Sequence, residues 1–124
     1  MSNVKILVVD DSPTMRNIIV NTVKEAGFSH VRTAENGKVA LAKLRRSDFD
    51  FLLTDWIMPG MDGIDLIKTI RSDEKLKNIP VLMVTSGKLK THIVSAIRAG
   101  VNGILTKPFS TIMLKRKIQE IIGV

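Results

Sequence analysis

Short apolar runs alternate five times with segments of helical periodicity, and this alternation predicts parallel strands joined by helices. The predicted strands are Val4–Val9, His30–Ala34, Phe51–Asp55, Val81–Thr85 and Gly103–Thr106. The predicted helices are one from Pro13 that stops at Gly27, then Gly37–Arg46, Gly63–Arg71, Leu89–Ala99 and Thr111–Ile122. Because such crossovers are right-handed, we expect an α/β sandwich of three layers.

The predicted helix ends carry local signals. Ser12 and Ser110 stand where an N-cap is needed, and Pro13 occupies a first-turn position that requires no backbone N–H. Gly27 and Gly100 follow helical segments, as glycines that terminate helices do.

Polar residues follow four of the five predicted strands. They are Asp10 and Asp11 after the first strand, Asp55 at the end of the third, Thr85 and Ser86 at the fourth, and Lys107 after the fifth. In sheets of this kind ligands bind beyond the carboxyl ends of the strands. The sequence therefore predicts one crevice that collects all of these side chains.

Three carboxylates in one crevice form a site of hard oxygen ligands, which suits Mg²⁺. A bound cation would explain why the two adjacent like charges of Asp10 and Asp11 are placed at one strand end. Asp55 can act as a nucleophile that accepts a phosphoryl group as an acyl phosphate, while Lys107 and Thr85 can donate to the transferred oxygens.

Each residue also has a plain structural interpretation. Asp10 or Asp11 alone would serve as a helix cap, Asp55 as a turn residue, Thr85 as a strand-end hydroxyl and Lys107 as a solvated lysine. It is their joint placement at the strand ends that favours a functional site.

Composition narrows the function classes. The 124 residues fit one domain, and the absence of cysteine excludes disulfides, a thiolate nucleophile and cysteine-based metal sites. No leader or apolar run long enough for a membrane span is present, so we expect a cytoplasmic protein. The net charge of +7 is uneven: residues 1–74 carry 10 basic and 11 acidic groups, whereas residues 75–124 carry 9 basic groups and only Glu120 as an acid.

The motifs "ILVVDDSPTMR", "LLTDWIMPGMDG", "VLMVTS" and "ILTKPF" stand in an order and spacing that resemble the receiver domains of two-component response regulators. The resemblance covers essentially the whole chain and is closest to the single-domain chemotaxis members of that family. It implies a single receiver domain over residues 1–124 with no output domain. It also implies a flavodoxin-like (βα)5 fold with strand order 2-1-3-4-5.

The resemblance assigns a role to each site residue. A histidine kinase would phosphorylate Asp55, and Mg²⁺ would be held by Asp11, Asp55 and the backbone carbonyl of Ile57, with Asp10 acting through water. Lys107 would pair with the phosphoryl oxygens and Thr85 would be the switch hydroxyl. The backbone amides that complete the phosphoryl site would be those of Trp56, Ile57 and Ser86. A cis peptide bond is expected before Pro108.

The resemblance also implies partners. They are a chemotaxis-type histidine kinase, a flagellar motor switch protein and a phosphatase, bound by a monomer that catalyses only its own phosphorylation and dephosphorylation. The expected output surface consists of Lys90, Ile93, Ile97, Ile104 and Lys117, and an acidic amphipathic helix would complement it. Ile104 replaces the family's usual aromatic residue, so we expect the switch to act through the loop after Thr85 and a small shift of the fourth helix.

Other functions compete with this interpretation. A receiver domain could serve another phosphorelay. An aspartyl-nucleophile phosphatase of the haloacid-dehalogenase type would place a second aspartate two residues after the nucleophile, where this chain has Ile57. A flavin-binding module would need a phosphate loop, but "DDSPT" begins with charges that repel phosphate. Nucleic-acid binding rests on the net charge alone, without a supporting motif.

Overall fold

The computed structural model describes the backbone of residues 3–86 and 90–123, and the side chains of residues 3–86 and 93–123. Its strands are β1 (Lys5–Val9), β2 (His30–Ala34), β3 (Phe51–Asp55), β4 (Val81–Thr85) and β5 (Gly103–Thr106). Its helices are α1 (Pro13–Glu25), α2 (Gly37–Arg46), α3 (Gly63–Arg71), α4 (Lys90–Ala99) and α5 (Thr111–Ile122). Within this part of the chain, none of the helices has the length and apolar character that crossing a membrane requires.

The predicted elements agree with these bounds except at two ends. The first strand begins at Lys5, not at Val4, because the parallel ladder starts where Lys5 pairs with His30. Lys5 also exchanges two hydrogen bonds with Asp50, whose carboxylate accepts from the Lys5 N–H at 2.9 Å and whose N–H donates to the Lys5 carbonyl at 2.9 Å. The predicted helix start at Leu89 lies outside the described residues.

The helix caps follow the predicted chemistry. The Ser12 side chain accepts a hydrogen bond from the Met15 N–H, and Ser110 does the same for Met113, both at 3.2 Å. Each bond satisfies a backbone donor that has no partner inside the helix. Gly100 follows α4 with a φ of +103°, a conformation that glycine adopts without steric cost.

The described strands form one parallel sheet in the order β2-β1-β3-β4-β5, which confirms the expected flavodoxin-like fold. Helices α1 and α5 pack together, as do α2 with α3 and α3 with α4. The two sets of helices cover opposite faces of the sheet. The chain therefore reverses its direction of strand addition next to β1, where ligands of such sheets bind.

Burial on both faces explains the continuous apolar sequence of the central strands. Leu52 and Leu53 are adjacent in β3 and both are fully buried, one in the core under α2, α3 and α4 and the other in the core under α1 and α5. Full burial of a leucine side chain contributes about 1.5–3 kcal/mol to the free energy of unfolding. The strands are thus fixed from both sides, and their carboxyl ends form a rigid platform.

Candidate functional site

The carboxyl ends of the strands bring the predicted residues to one edge of the sheet. Asp10 directly follows β1 and is held by its N–H, which donates to the Ala34 carbonyl at 3.2 Å. Asp55 ends β3, and Thr85 ends β4. Lys107 follows β5, and its N–H donates to the Thr85 carbonyl at 2.9 Å.

Three carboxylates meet at this edge. Asp10, Asp11 and Asp55 each offer one oxygen, and these three oxygens lie within 4.8 Å of one another. Their exposure differs, because Asp10 is only 1% exposed, Asp55 is half-buried and Asp11 faces solvent. The cluster has the size and the ligand type of a site for a divalent cation.

The carboxylate of Asp10 fits a cation in particular. Its Oδ1 accepts a hydrogen bond from the Ser12 N–H at 2.9 Å, whereas the buried Oδ2 has no hydrogen-bond partner among the described residues. A buried charged oxygen without a partner is costly unless a positive group compensates it. The donor set of the cluster is entirely oxygen, as a hard cation prefers.

Lys107 is placed between two of the carboxylates. Its Nζ lies 3.6 Å from Asp10 Oδ2 and 3.6 Å from Asp55 Oδ1. These distances give ion pairs but exceed hydrogen-bond length, so the ammonium offsets both charges and forms a hydrogen bond to neither carboxylate. The peptide bond from Lys107 to Pro108 is cis, as expected from the sequence.

The electrostatic environment of Asp55 keeps its carboxylate poorly stabilised. Burial raises the pKa of Asp55 above its ordinary value, the Lys107 ammonium opposes this shift, and the nearby Asp10 charge adds to it. The Trp56 N–H donates to Asp55 Oδ1 at 2.8 Å and also lowers the pKa, but the net shift is upward. A positive group at the site would favour the ionised, nucleophilic form.

The residues expected to complete a phosphoryl site differ in their solvent exposure and in their contact with Asp55. Thr85 is 4% exposed at the end of β4, and Ser86 beside it is exposed. The Trp56 amide already donates to Asp55, so it is directed at the carboxylate. The Ile57 side chain is 74% exposed in the loop after β3, where it stands open to solvent next to the site.

Two residues that support the site were missed in the sequence. Gly63 begins α3 so close to β3 that an added Cβ would lie 2.3 Å from the Asp55 carbonyl oxygen, and its N–H donates to the Trp56 carbonyl at 2.7 Å. A glycine directly after the N-cap Asp62 was the available signal, since helix propensity does not favour it. Arg16 donates to the Asp10 carbonyl at 2.9 Å, and nothing local predicted this contact.

The expected output surface is partly described. Ile93 and Ile97 lie one turn apart on α4 and are 37% and 61% exposed, while Ile104 is partly buried against the core below α4. Lys117 on α5 is also partly exposed. The side chain of Lys90 lies outside the described residues.

Comparison with known proteins agrees with this geometry. The sequence model of the response regulator receiver domain family matches residues 6–119 of this chain. Chemotaxis protein CheY-3 of Vibrio cholerae is 50% identical over 119 residues, covering 96% of this chain and 92% of that protein. Chemotaxis protein CheY of Pseudomonas aeruginosa is 51% identical over 117 residues, covering 94% of each.

A solved structure gives the same result. The receiver domain of a sensor histidine kinase from Pseudomonas aeruginosa, which has a magnesium ion coordinated in its active-site cleft, superposes with a TM-score of 0.87 at 29% identity. The superposition covers 97% of this chain and 98% of that domain. The chain therefore belongs to the family of response regulator receiver domains, which are phosphorylation-activated switches.

Proposed function

We propose that Asp55 is the phosphoryl acceptor of this switch and that the donor is a phosphohistidine of a chemotaxis-type kinase. A carboxylate oxygen of Asp55 would attack the phosphorus, the P–N bond to histidine would break, and the imidazole would leave and take up a proton. The observation that supports this best is the half-buried Asp55 carboxylate, flanked by Lys107 on one side and by two further aspartates. The phosphoryl group would thus stay on the chain as an acyl phosphate, and the kinase would leave with its histidine free.

We infer that the cation of the site is Mg²⁺, held by Asp11, Asp55 and the backbone carbonyl of Ile57, with Asp10 acting through water. The buried Oδ2 of Asp10, which accepts no hydrogen bond among the described residues, and the all-oxygen donor set support this assignment. When bound, Mg²⁺ would offset the charges of the carboxylates and of an approaching phosphoryl group.

The other site residues would stabilise the transferred group. Lys107 would direct its ammonium to a phosphoryl oxygen, because it already lies 3.6 Å from the acceptor carboxylate. The Thr85 hydroxyl and the backbone amides of Ile57 and Ser86 would donate to the remaining oxygens. The Trp56 amide would keep its direction toward Asp55.

We propose that the output is altered affinity for a flagellar motor switch protein. The two chemotaxis relatives at about half identity support this assignment. The exposed Ile93 and Ile97 on α4, together with Lys117, offer an apolar and basic surface for an acidic amphipathic helix. A partner in another phosphorelay is the alternative, and it would use the same phosphorylation chemistry.

Labelling with acetyl phosphate tests the acceptor. With Mg²⁺ present, intact-mass analysis should show one added phosphoryl group, and Asp55→Asn should remove it. Asp48→Asn is the matched control, because Asp48 is an exposed carboxylate outside the acidic cluster. Undiminished labelling of Asp55→Asn, or labelling that a chelator does not reduce, would contradict the proposal.

A further inference from the structure

A groove between α3 and α4 lies beside the cluster of Asp10, Asp11 and Asp55 and contains none of these three carboxylates. Its volume is ≈ 430 Å³, and its lining consists of Trp56, Asp62, Ile64, Lys68, Ser95 and Arg98. This volume lies in the range of ligand sites in proteins. The groove begins at Trp56, the residue that directly follows Asp55.

Its two walls are α3 and α4, which pack together and belong to neighbouring βα units, while Trp56 and Asp62 line it from the connection between β3 and α3.

Two cations of the groove lack a carboxylate partner. Lys68 on α3 and Arg98 on α4 are both exposed, and neither forms an ion pair with any residue in the described part of the chain. The one acid of the lining, Asp62, is engaged as the N-cap of α3, where its Oδ1 accepts from the Asp65 N–H at 2.9 Å. The groove therefore carries two positive charges, those of Lys68 and Arg98, that form no ion pair among the described residues.

The apolar part of the groove is held rigidly. Trp56 and Ile64 are partly buried and pack against the core under α3 and α4. The backbone of Trp56 is fixed on both sides, since its N–H donates to Asp55 Oδ1 at 2.8 Å and its carbonyl accepts from the Gly63 N–H at 2.7 Å. A preorganised aromatic side chain loses little conformational entropy when a partner covers it.

We propose that this groove docks a segment of a partner protein in which acidic residues flank apolar ones. The apolar side chains would cover Trp56 and Ile64, and the carboxylates would meet Lys68 and Arg98. Charge complementarity supports an acidic segment, because Asp62, the one carboxylate among the described lining residues, already serves as a helix cap. This surface is separate from the expected output surface, which contains none of these four residues.

The single tryptophan of the chain makes the proposal directly testable. The peptide acetyl-Glu-Leu-Leu-Glu-amide should change the Trp56 emission saturably, whereas acetyl-Lys-Leu-Leu-Lys-amide should not. Calorimetric titration provides a second readout that does not depend on emission. The unphosphorylated protein is used, so the result stands whether or not Asp55 is the phosphoryl acceptor.

Paired variants locate the binding site. Lys68→Gln with Arg98→Gln should weaken binding of the acidic peptide by about tenfold or more, since each charged hydrogen bond is lost. Lys24→Gln with Arg116→Gln removes the same two charge types from exposed positions on α1 and α5 and should change the affinity by less than roughly twofold.

Three results would overturn the proposal. They are equal binding of the acidic and basic peptides, equal weakening in the two double variants, and binding of free glutarate as tight as that of the acidic peptide. The last result would show a site for small carboxylates and not a docking surface for a protein segment. Circular dichroism of each variant checks that the fold is retained.

Discussion

At the scale of single residues, one charge governs the site. Asp55 must be ionised to act as a nucleophile, yet burial raises its pKa from the ordinary value of 3.8. At pH values between the ordinary pKa and the raised pKa, Asp55 is still protonated in the folded protein but has lost its proton in the unfolded chain. The free energy of unfolding therefore falls as pH rises through that window, and at neutral pH the ionised carboxylate reduces stability.

Asp55→Asn should therefore stabilise the protein at pH 7 when a chelator is present. We expect its Tm to rise by a few degrees, because the amide carries no charge to bury. Adding Mg²⁺ should raise the Tm of the native chain more than that of the variant. Thermal unfolding measures both effects, and Asp48→Asn should leave the Tm unchanged. A variant Tm equal to or below that of the native chain in chelator would contradict this account.

Thr85 should affect signalling more than phosphorylation. Thr85 is 4% exposed at the end of β4, where its hydroxyl would report on the transferred group without being needed to accept it. Phosphorylation of the native chain should change partner affinity by roughly 5- to 150-fold. In Thr85→Ala we expect labelling by acetyl phosphate to persist and this change in affinity to be lost, whereas Thr85→Ser should retain it. A normal phosphorylation-dependent affinity of Thr85→Ala would disprove the switch role.

At the scale of elements, the start of α3 is joined to the end of β3. Gly63 permits this close approach, which a side chain would prevent. Gly60, in the same connection, is a glycine for a different reason, because its φ is +76° and no atom lies within 4 Å of an added Cβ. Gly63 is therefore needed for close packing, whereas Gly60 is needed for its backbone conformation.

Gly63→Ala should destabilise the protein by about 1–3 kcal/mol and reduce labelling of Asp55, because α3 must move away from the β3 end. Gly60→Ala should cost about 1 kcal/mol through backbone strain and leave labelling nearly intact. Urea unfolding and intact-mass analysis measure the two effects. Normal labelling of Gly63→Ala would show that the site does not depend on this contact.

At the scale of the whole molecule, charge is distributed unevenly. Residues 75–124 carry 9 basic groups against Glu120 alone, and this half of the chain supplies α4, β5 and α5. Electrostatic complementarity chiefly raises the association rate and selects partners of opposite charge. The expected output surface therefore favours an acidic partner.

Lys90→Glu with Lys117→Glu should weaken binding of a flagellar motor switch protein by about tenfold, because like charges would then face the acidic partner. The salt dependence of the affinity should become weaker as well. Lys24→Glu with Lys38→Glu is the control, since both residues are exposed on α1 and α2. Binding is measured over a salt series after labelling of Asp55 has been verified. An affinity equal to that of the control at every salt concentration would place the interface elsewhere.

The local pattern of the sequence determined the elements. Four strands, the caps at Ser12 and Ser110 and the acidic residues at strand ends were all predicted from neighbours along the chain. Apolar periodicity and capping act over a few residues, so the sequence alone contains them. The strand order came from the resemblance to receiver domains and was not contained in the periodicity.

The tertiary structure decided the burial, the charge partners and the packing of those residues. It buries Asp10 and exposes the adjacent Asp11, and it places Lys107 between Asp10 and Asp55. It also requires Gly63 to have no side chain. These properties depend on parallel strand pairing and on helices that pack across the sheet, which join residues far apart in the chain. Desolvation and close packing arise only when distant segments meet, and no local pattern encodes them.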